Sequence, residues 1–312
     1  MRVGLEPLEQ SAFFPQVTSV TGPLPQLGIG ILYNPMLTQL LRDEPELIDF
    51  VEIIPDEFWT VEKQGSSHRY VEHDTFIAPV EKLAENVPVL LHSVDLSIGS
   101  SDLFDQEHVA QIARWQERFQ SPWHSDHLSF SRIGVSGHDQ STALAIPVPY
   151  DQELLDLIAS RVRLVQEMVP SPFLLENNVY FFDLPDQEMS EPEFLNRLCY
   201  ETGCGLLLDI HNVYANARNH GFDAREFVSR LDPSIIVELH IAGGDEFMGM
   251  YTDSHCGPVP EAVWDNLDHA LSHAPEIRAV TYEFHESYYQ RLRDDGVRVQ
   301  LCRAREIWSR HH

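Results

Sequence analysis

The chain has 312 residues, and 21 basic against 49 acidic side chains leave a formal charge of −28. Hydrophobic residues make up 43% and charged residues 22%, a composition that fills a buried core and lies far from disorder. So acidic a surface opposes nucleic acids and anionic membranes, whose recognition needs a basic face.

Residues 1–26 are expected to form an N-terminal extension, and 27–312 a single domain. From there short apolar runs alternate with longer amphipathic segments. The runs are LGIGILY (27–33), DFVEII (49–54), PVLLHSV (88–94), PWHSDHLSF (122–130), PFLLENN (172–178), GLLLDIHN (205–212), IIVELHIAG (235–243) and RAVTYEF (278–284). Continuous apolar runs of this length mark buried parallel strands. Between them, Leu154, Leu155, Ile158, Val162, Val165 and Val169 recur at helical spacing. Ser190 and Glu193 predict a capping box ahead of a second helix, which Gly203 ends. Residues 260–274 predict another. Eight strands each followed by a helix-length segment predict an α/β fold, a (β/α)8 TIM barrel. No G-x-G-x-x-G loop follows the first strand, so the doubly wound open sheet is disfavoured.

The opening MRVGLEPLEQ lacks a basic start and an apolar h-region, and no apolar run reaches the roughly 18 residues of a membrane span. Cys199, Cys204, Cys256 and Cys302 contain no Cys-x-x-Cys pair, so a cytoplasmic, reducing location is expected.

Barrel enzymes carry their chemistry at the carboxyl ends of the strands. Those ends supply Glu52, Asp56 and Glu57, then His92, then His124, Asp126 and His127. Glu176, Asn177 and Asn178 follow, then Asp209, His211 and Asn212, then His240, and finally Glu283 and His285; a later loop adds Asp253 and His255. Ionisable groups directly after apolar residues, as in Leu-Leu-His92 and Leu-Leu-Leu-Asp209, are costly to bury unless paired or bound to metal. Mixed imidazole and carboxylate donors suit iron, manganese or zinc. Their number exceeds one ion's needs, so two or three bridged ions are expected, with Glu176 or Glu283 bridging. His124 and His285 are expected on the outer face or behind the ligands. Asp56, Glu57, His68, His73, His108, His138 and His220 are expected at the surface, and Cys256 as an ordinary thiol.

Several blocks carry a resemblance: LHSVDLSIGS (91–100), SDHLSFSR (125–132), LLENN (174–178), TGCGLLLDIHNVYANARNHGFD (202–223), ELHIAGG (238–244), DSHCGPV (253–259) and TYEFH (281–285). In this order they resemble the multinuclear non-haem iron-dependent oxidases, the family of the methanobactin-biosynthesis oxidase. The resemblance implies a xylose-isomerase-like barrel with two or three irons of mixed valence. It implies O2 as co-substrate and a cysteine-containing, ribosomally made peptide as substrate, with a separate peptide-presenting protein as partner. Carried over position by position, the metal ligands are His92, His127, Glu176, Asp209, His240, Asp253, His255 and Glu283, with Asp209, Glu176 and His240 closest to the chemistry. Asp126, His211, Asn177 and Asn212 form a second tier, and Ser93 and Asn178 are further hydrogen-bonders behind the ligands. Relatives commonly carry Glu at 126, Asn at 211 and Gly-His where this chain has Gly243-Gly244.

Three alternatives differ in class. A di- or trinuclear zinc or manganese phosphoesterase resembling endonuclease IV uses a similar donor set. A sugar isomerase needs a strand-end lysine, whereas Lys63 and Lys82 fall between strands in segments read as loop or helix. A peptide-binding scaffold without chemistry would retain no metal.

Overall fold

The computed structural model describes residues 23–64, 67–102, 104–135 and 138–312; most of the expected N-terminal extension lies outside them. All eight apolar runs become barrel strands: β1 (Gly28–Leu32), β2 (Phe50–Ile53), β3 (Val89–Ser93), β4 (His124–His127), β5 (Phe173–Glu176), β6 (Gly205–Asp209), β7 (Ile236–Ala242) and β8 (Ala279–Glu283). Each pairs in parallel with its sequence neighbours, and β1 closes on β8 with Gly28 opposite Ala279. Parallel strands covered on both faces must be apolar on both, which is why these runs do not alternate.

Helices shield the barrel from outside: α1 (Thr38–Asp43), α2 (Asp74–Ala84), α3 (Gln106–Phe119), α4 (Gln152–Met168), α5 (Glu191–Thr202), α6 (Ile210–His220), α7 (Ala224–Ser229), α8 (Glu261–His273) and α9 (Tyr289–Trp308). In α4 the stripe Leu154, Leu155, Ile158, Val162 and Val165 is buried, and the Asp151 side chain caps the first turn by accepting from the Leu154 N–H. The expected capping box at Ser190 does not form. Ser190 stands at the N-cap of α5, but its hydroxyl accepts from Arg230 instead. Gly203 does end this helix, with φ +73°.

Three antiparallel hairpins leave the carboxyl ends of β2, β4 and β7: Trp59–Gln64 with Ser67–Glu72, Phe130–Val135 with His138–Ile146, and Asp245–Phe247 with Met250–Thr252. Lys63 therefore sits on a hairpin strand, not in a loop or helix. Inside the barrel, Leu24, Phe50, Leu90, Trp123, Leu174, Leu207 and Ala279 form an apolar floor. The register of β7 on β6 slips by one residue between Leu206 and Leu207. This bulge makes Val237 the extra residue and restarts the alternation, leaving Glu238 and His240 inside the barrel. No helix among the described residues is long and apolar enough to cross a membrane.

Candidate metal centre

Above the floor the barrel interior turns polar. Trp123 donates its indole N–H to Glu238 at 2.7 Å, and the Thr281 hydroxyl bonds both Glu238 and Glu52. The Nε2 of His240 lies 3.1 Å from both oxygens of Glu52. The other ring nitrogen, Nδ1, faces Glu176 at 3.6 Å and Glu283 at 3.3 Å. His92 approaches Glu176 through Nε2 at 3.2 Å while its Nδ1 meets the Ser125 hydroxyl at 2.9 Å. His127 reaches the same Glu176 oxygen at 2.9 Å. His255 joins Asp253 at 2.8 Å and Glu283 at 3.5 Å.

These separations test whether the residues fit metal ions. Two ligands each ~2.1 Å from one ion lie ~3.0 Å apart at a right angle and ~3.4 Å apart at a tetrahedral one. The spacings of 2.8 to 3.6 Å fall around those values. Four of the facing atoms, Glu176 Oε2, Asp209 Oδ2, His240 Nδ1 and His255 Nε2, are buried without a hydrogen-bond partner. Buried polar atoms are almost always satisfied; Glu176, Asp209 and His240 stand together with Glu283 in a group able to hold a cation, and His255 Nε2 lies beside Glu283. Six of the eight predicted ligands, His92, His127, Glu176, Asp209, His240 and Glu283, fall in groups whose ligand atoms lie within 4.8 Å. Asp253 and His255 attach to that set through Glu283.

Electrostatics point the same way. Burial pushes Asp209 far above the usual carboxylate range, and the neighbouring Asp253 and Glu176 add to it. Burial would lower His127 and His255, but Glu176 holds the first at about 9 and Asp253 with Glu283 holds the second at about 10. Burial lowers His92, the neighbouring His127 and His240 add to it, and Glu176 and Glu52 oppose it. Crowding of carboxylates and imidazoles in a buried space drives their protonation apart in this way.

Residues 26–293 match the family described as RiPP precursor modification enzyme MbnB/TglH/ChrH. The chain belongs to this family. A UPF0276 protein of Caulobacter vibrioides is 32% identical over 243 residues, covering 78% of this chain and 81% of the relative. Among solved structures, the IOLI protein with a bound zinc atom superposes with TM-score 0.58 at 15% identity, covering 91% of this chain and 99% of that one. Endonuclease IV from Thermus thermophilus gives 0.54 at 13% identity, covering 92% and 100%. These two likenesses show the (β/α)8 barrel fold.

Within this MbnB/TglH/ChrH barrel the second-tier residues build the walls around the ligands. Asn177 bonds the backbone of Asp209 twice, accepting from its N–H at 2.8 Å and donating to its carbonyl at 3.1 Å. Asn212 donates to the Asn177 carbonyl, and its N–H caps onto Asp209 Oδ1. His211 turns Nδ1 to Asp253 at 2.9 Å and Nε2 to the Tyr251 hydroxyl at 3.3 Å, so it braces Asp253. Asp126 and Ser93 face outward, behind the ligand-bearing strands, beside Asp56. His124 is buried on the outer face, stacked on Phe173 with Nδ1 against Ser171, and His285 is exposed.

Three surface expectations are overturned. His108 is buried because it lies on the inward stripe of α3 with Val109 and Ile112, and it contacts the Ser93 hydroxyl at 3.0 Å. Asp56 is nearly buried, accepting from Ser93 and from the Val94 N–H. His220 is mostly buried between Asp183 and the Tyr180 carbonyl. Glu57 is exposed and His73 half-buried, while the side chains of His68 and His138 lie outside the described residues. Cys256 is a buried free thiol approached by Arg291.

Glu52 and Glu238 are the residues missing from the predicted ligand set. With His240 they form a further group able to hold a metal. Glu52 stood at a strand end in the sequence, and Glu238 was the lone acid of an apolar run; inward strand parity shared with His240 is the signal that finds them.

Proposed function

We propose that the chain is a multinuclear non-haem iron-dependent oxidase that uses O2 to modify cysteine residues of a ribosomally made peptide. The observation that carries the reading is the array of imidazoles and carboxylates with orphaned, mutually facing atoms, in a chain of the RiPP-modification family. Such donors suit iron, manganese or zinc, and iron supplies electron exchange with O2 when bound.

His92, His127, Glu176, Asp209, His240, Asp253, His255 and Glu283 would hold two or three ions, with Glu176, which faces three imidazoles, and Glu283, which faces two, as the candidate bridges. The protein's own work is orientation and exclusion of water. Ser125 and Glu52 fix the rings of His92 and His240, and Asn177 and His211 fix Asp209 and Asp253. The side chains of His127 and His255 are 26% and 21% exposed, against 4% or less for Glu176, His240 and Glu283. The peptide therefore approaches over His127 and His255, on the carboxyl side of the barrel. A separate peptide-presenting protein belongs to the same reading.

Elemental analysis of protein purified without oxygen from iron-supplemented cells tests it. Two or three irons per chain are expected. Asp253→Ala and Glu176→Ala are expected to lower that content without unfolding the chain. Zinc or manganese at equal occupancy would transfer the reading to a phosphoesterase, and no retained metal to a peptide-binding scaffold.

A further inference from the structure

We propose that a cavity on the rim of the barrel is a subsite for a cationic side chain of the peptide substrate. The inference rests on the peptide-modifying reading. The cavity, about 220 Å³, lies between the loops after β4 and β5 and is lined by Pro147, Tyr150, Tyr180, Phe182, Gln187 and Glu191 among others. Both loops leave carboxyl ends of barrel strands, the side that carries the metal centre.

Glu191 is the decisive residue. It is only 7% exposed, and the one side-chain hydrogen bond that acts on its carboxyl comes from Tyr150. No cation among the described residues compensates it. The arginines nearby are engaged elsewhere: Arg197 with Gln152 and Met189, and Arg230 with Ser190. A carboxylate held out of water with no cation is costly, and burial lifts its pKa to about 7. Its place in the first turn of α5 favours an acid, but exposed Glu193 meets that need two residues on. The helix does not require the burial.

The walls suit a cation as well. Tyr150 and Tyr180 bring aromatic rings beside the carboxylate, and Phe182, half exposed, forms the lip. A cation gains from both carboxylate and ring quadrupoles. A neutral occupant would leave Glu191 unpaired, and an anion would be repelled by it and by the −28 charge of the chain.

The geometry also sets a spacing. Tyr180 is four residues beyond Glu176, so the two lie at most ~14 Å apart along the backbone.

The test uses the full-length protein as purified with its metal and two small probes, N-acetyl-arginine amide and its uncharged isostere N-acetyl-citrulline amide, with binding followed by NMR. The arginine probe is expected to bind at least ten-fold tighter. Glu191→Gln is expected to abolish that preference, and Glu193→Gln to keep it. Tyr180→Leu is expected to reduce it several-fold, a second readout should Glu191→Gln fold poorly. Equal binding of both probes to the natural chain, or a preference that survives Glu191→Gln, would overturn the subsite. Binding is read without turnover. Cation preference in a protein that modifies no peptide would sustain the cation site and remove the peptide reading, whereas peptide modification with no preference would do the reverse.

Discussion

Glu52 meets His240 with both oxygens at 3.1 Å from Nε2, while Nδ1 stands unpartnered before Glu176 and Glu283. A histidine coordinates through one nitrogen, and the bond made by the other decides which one. Under the proposed function, Glu52 would hold Nε2 and leave Nδ1 free for an ion. Glu52→Gln keeps the shape and loses the full negative acceptor, so metal retention against a competing chelator is expected to fall ~10- to 100-fold with unchanged circular dichroism. Retention equal to the natural chain would mean that packing alone sets the ring. The contrast with the predicted ligands is instructive. Glu176 and Asp209 each close an apolar run, where an isolated polar residue is conspicuous. Glu238 sits inside one, two residues before His240, on the same inward face.

At the level of elements, the hairpin Asp245–Phe247 with Met250–Thr252 binds the loop ligands to the barrel. Gly244 donates to the Tyr251 hydroxyl at 2.9 Å, and Tyr251 in turn contacts His211, which holds Asp253. A Cβ at Gly244 would stand 2.0 Å from the Thr252 carbonyl oxygen and 3.0 Å from His211 Nε2. The Gly-Gly that departs from the commoner Gly-His is thus required by this hairpin. Gly244→Ala is expected to cost ~1–3 kcal/mol by overpacking and to lower metal content, read by thermal melting and elemental analysis. A variant with natural stability and metal content would show that the hairpin yields freely. The hairpins were not read from the sequence, although Trp59 and Tyr251 are buried within them. Barrel strands and helices were legible because burial on both faces, or on one stripe, writes a periodicity. The failed cap at Ser190 has another cause: its partner Arg230 is forty residues away in sequence, beyond any local motif.

Across the whole molecule, the candidate ligands from β3 to β8 converge on one centre, so under the proposed function bound ions would be part of the barrel's closure. Their removal leaves Glu176, Asp209, Asp253 and Glu283 to repel one another in a buried space. Stripping metal with a chelator is expected to lower Tm by at least ~5 °C, since a ligand at a hundred times its Kd contributes ~2.7 kcal/mol; re-addition restores it. An unchanged Tm would mean that the centre forms without holding the barrel. Circular convergence also imposes an order on biosynthesis. His92 leaves the ribosome early, but Glu283 belongs to β8, the last barrel strand to emerge, and two ring nitrogens, of His240 and His255, face its carboxylate. No nascent chain short of β8 presents the complete set of candidate donors, so under the proposed function loading would follow translation of the barrel. A cell that supplies the metal must deliver it to a nearly finished protein.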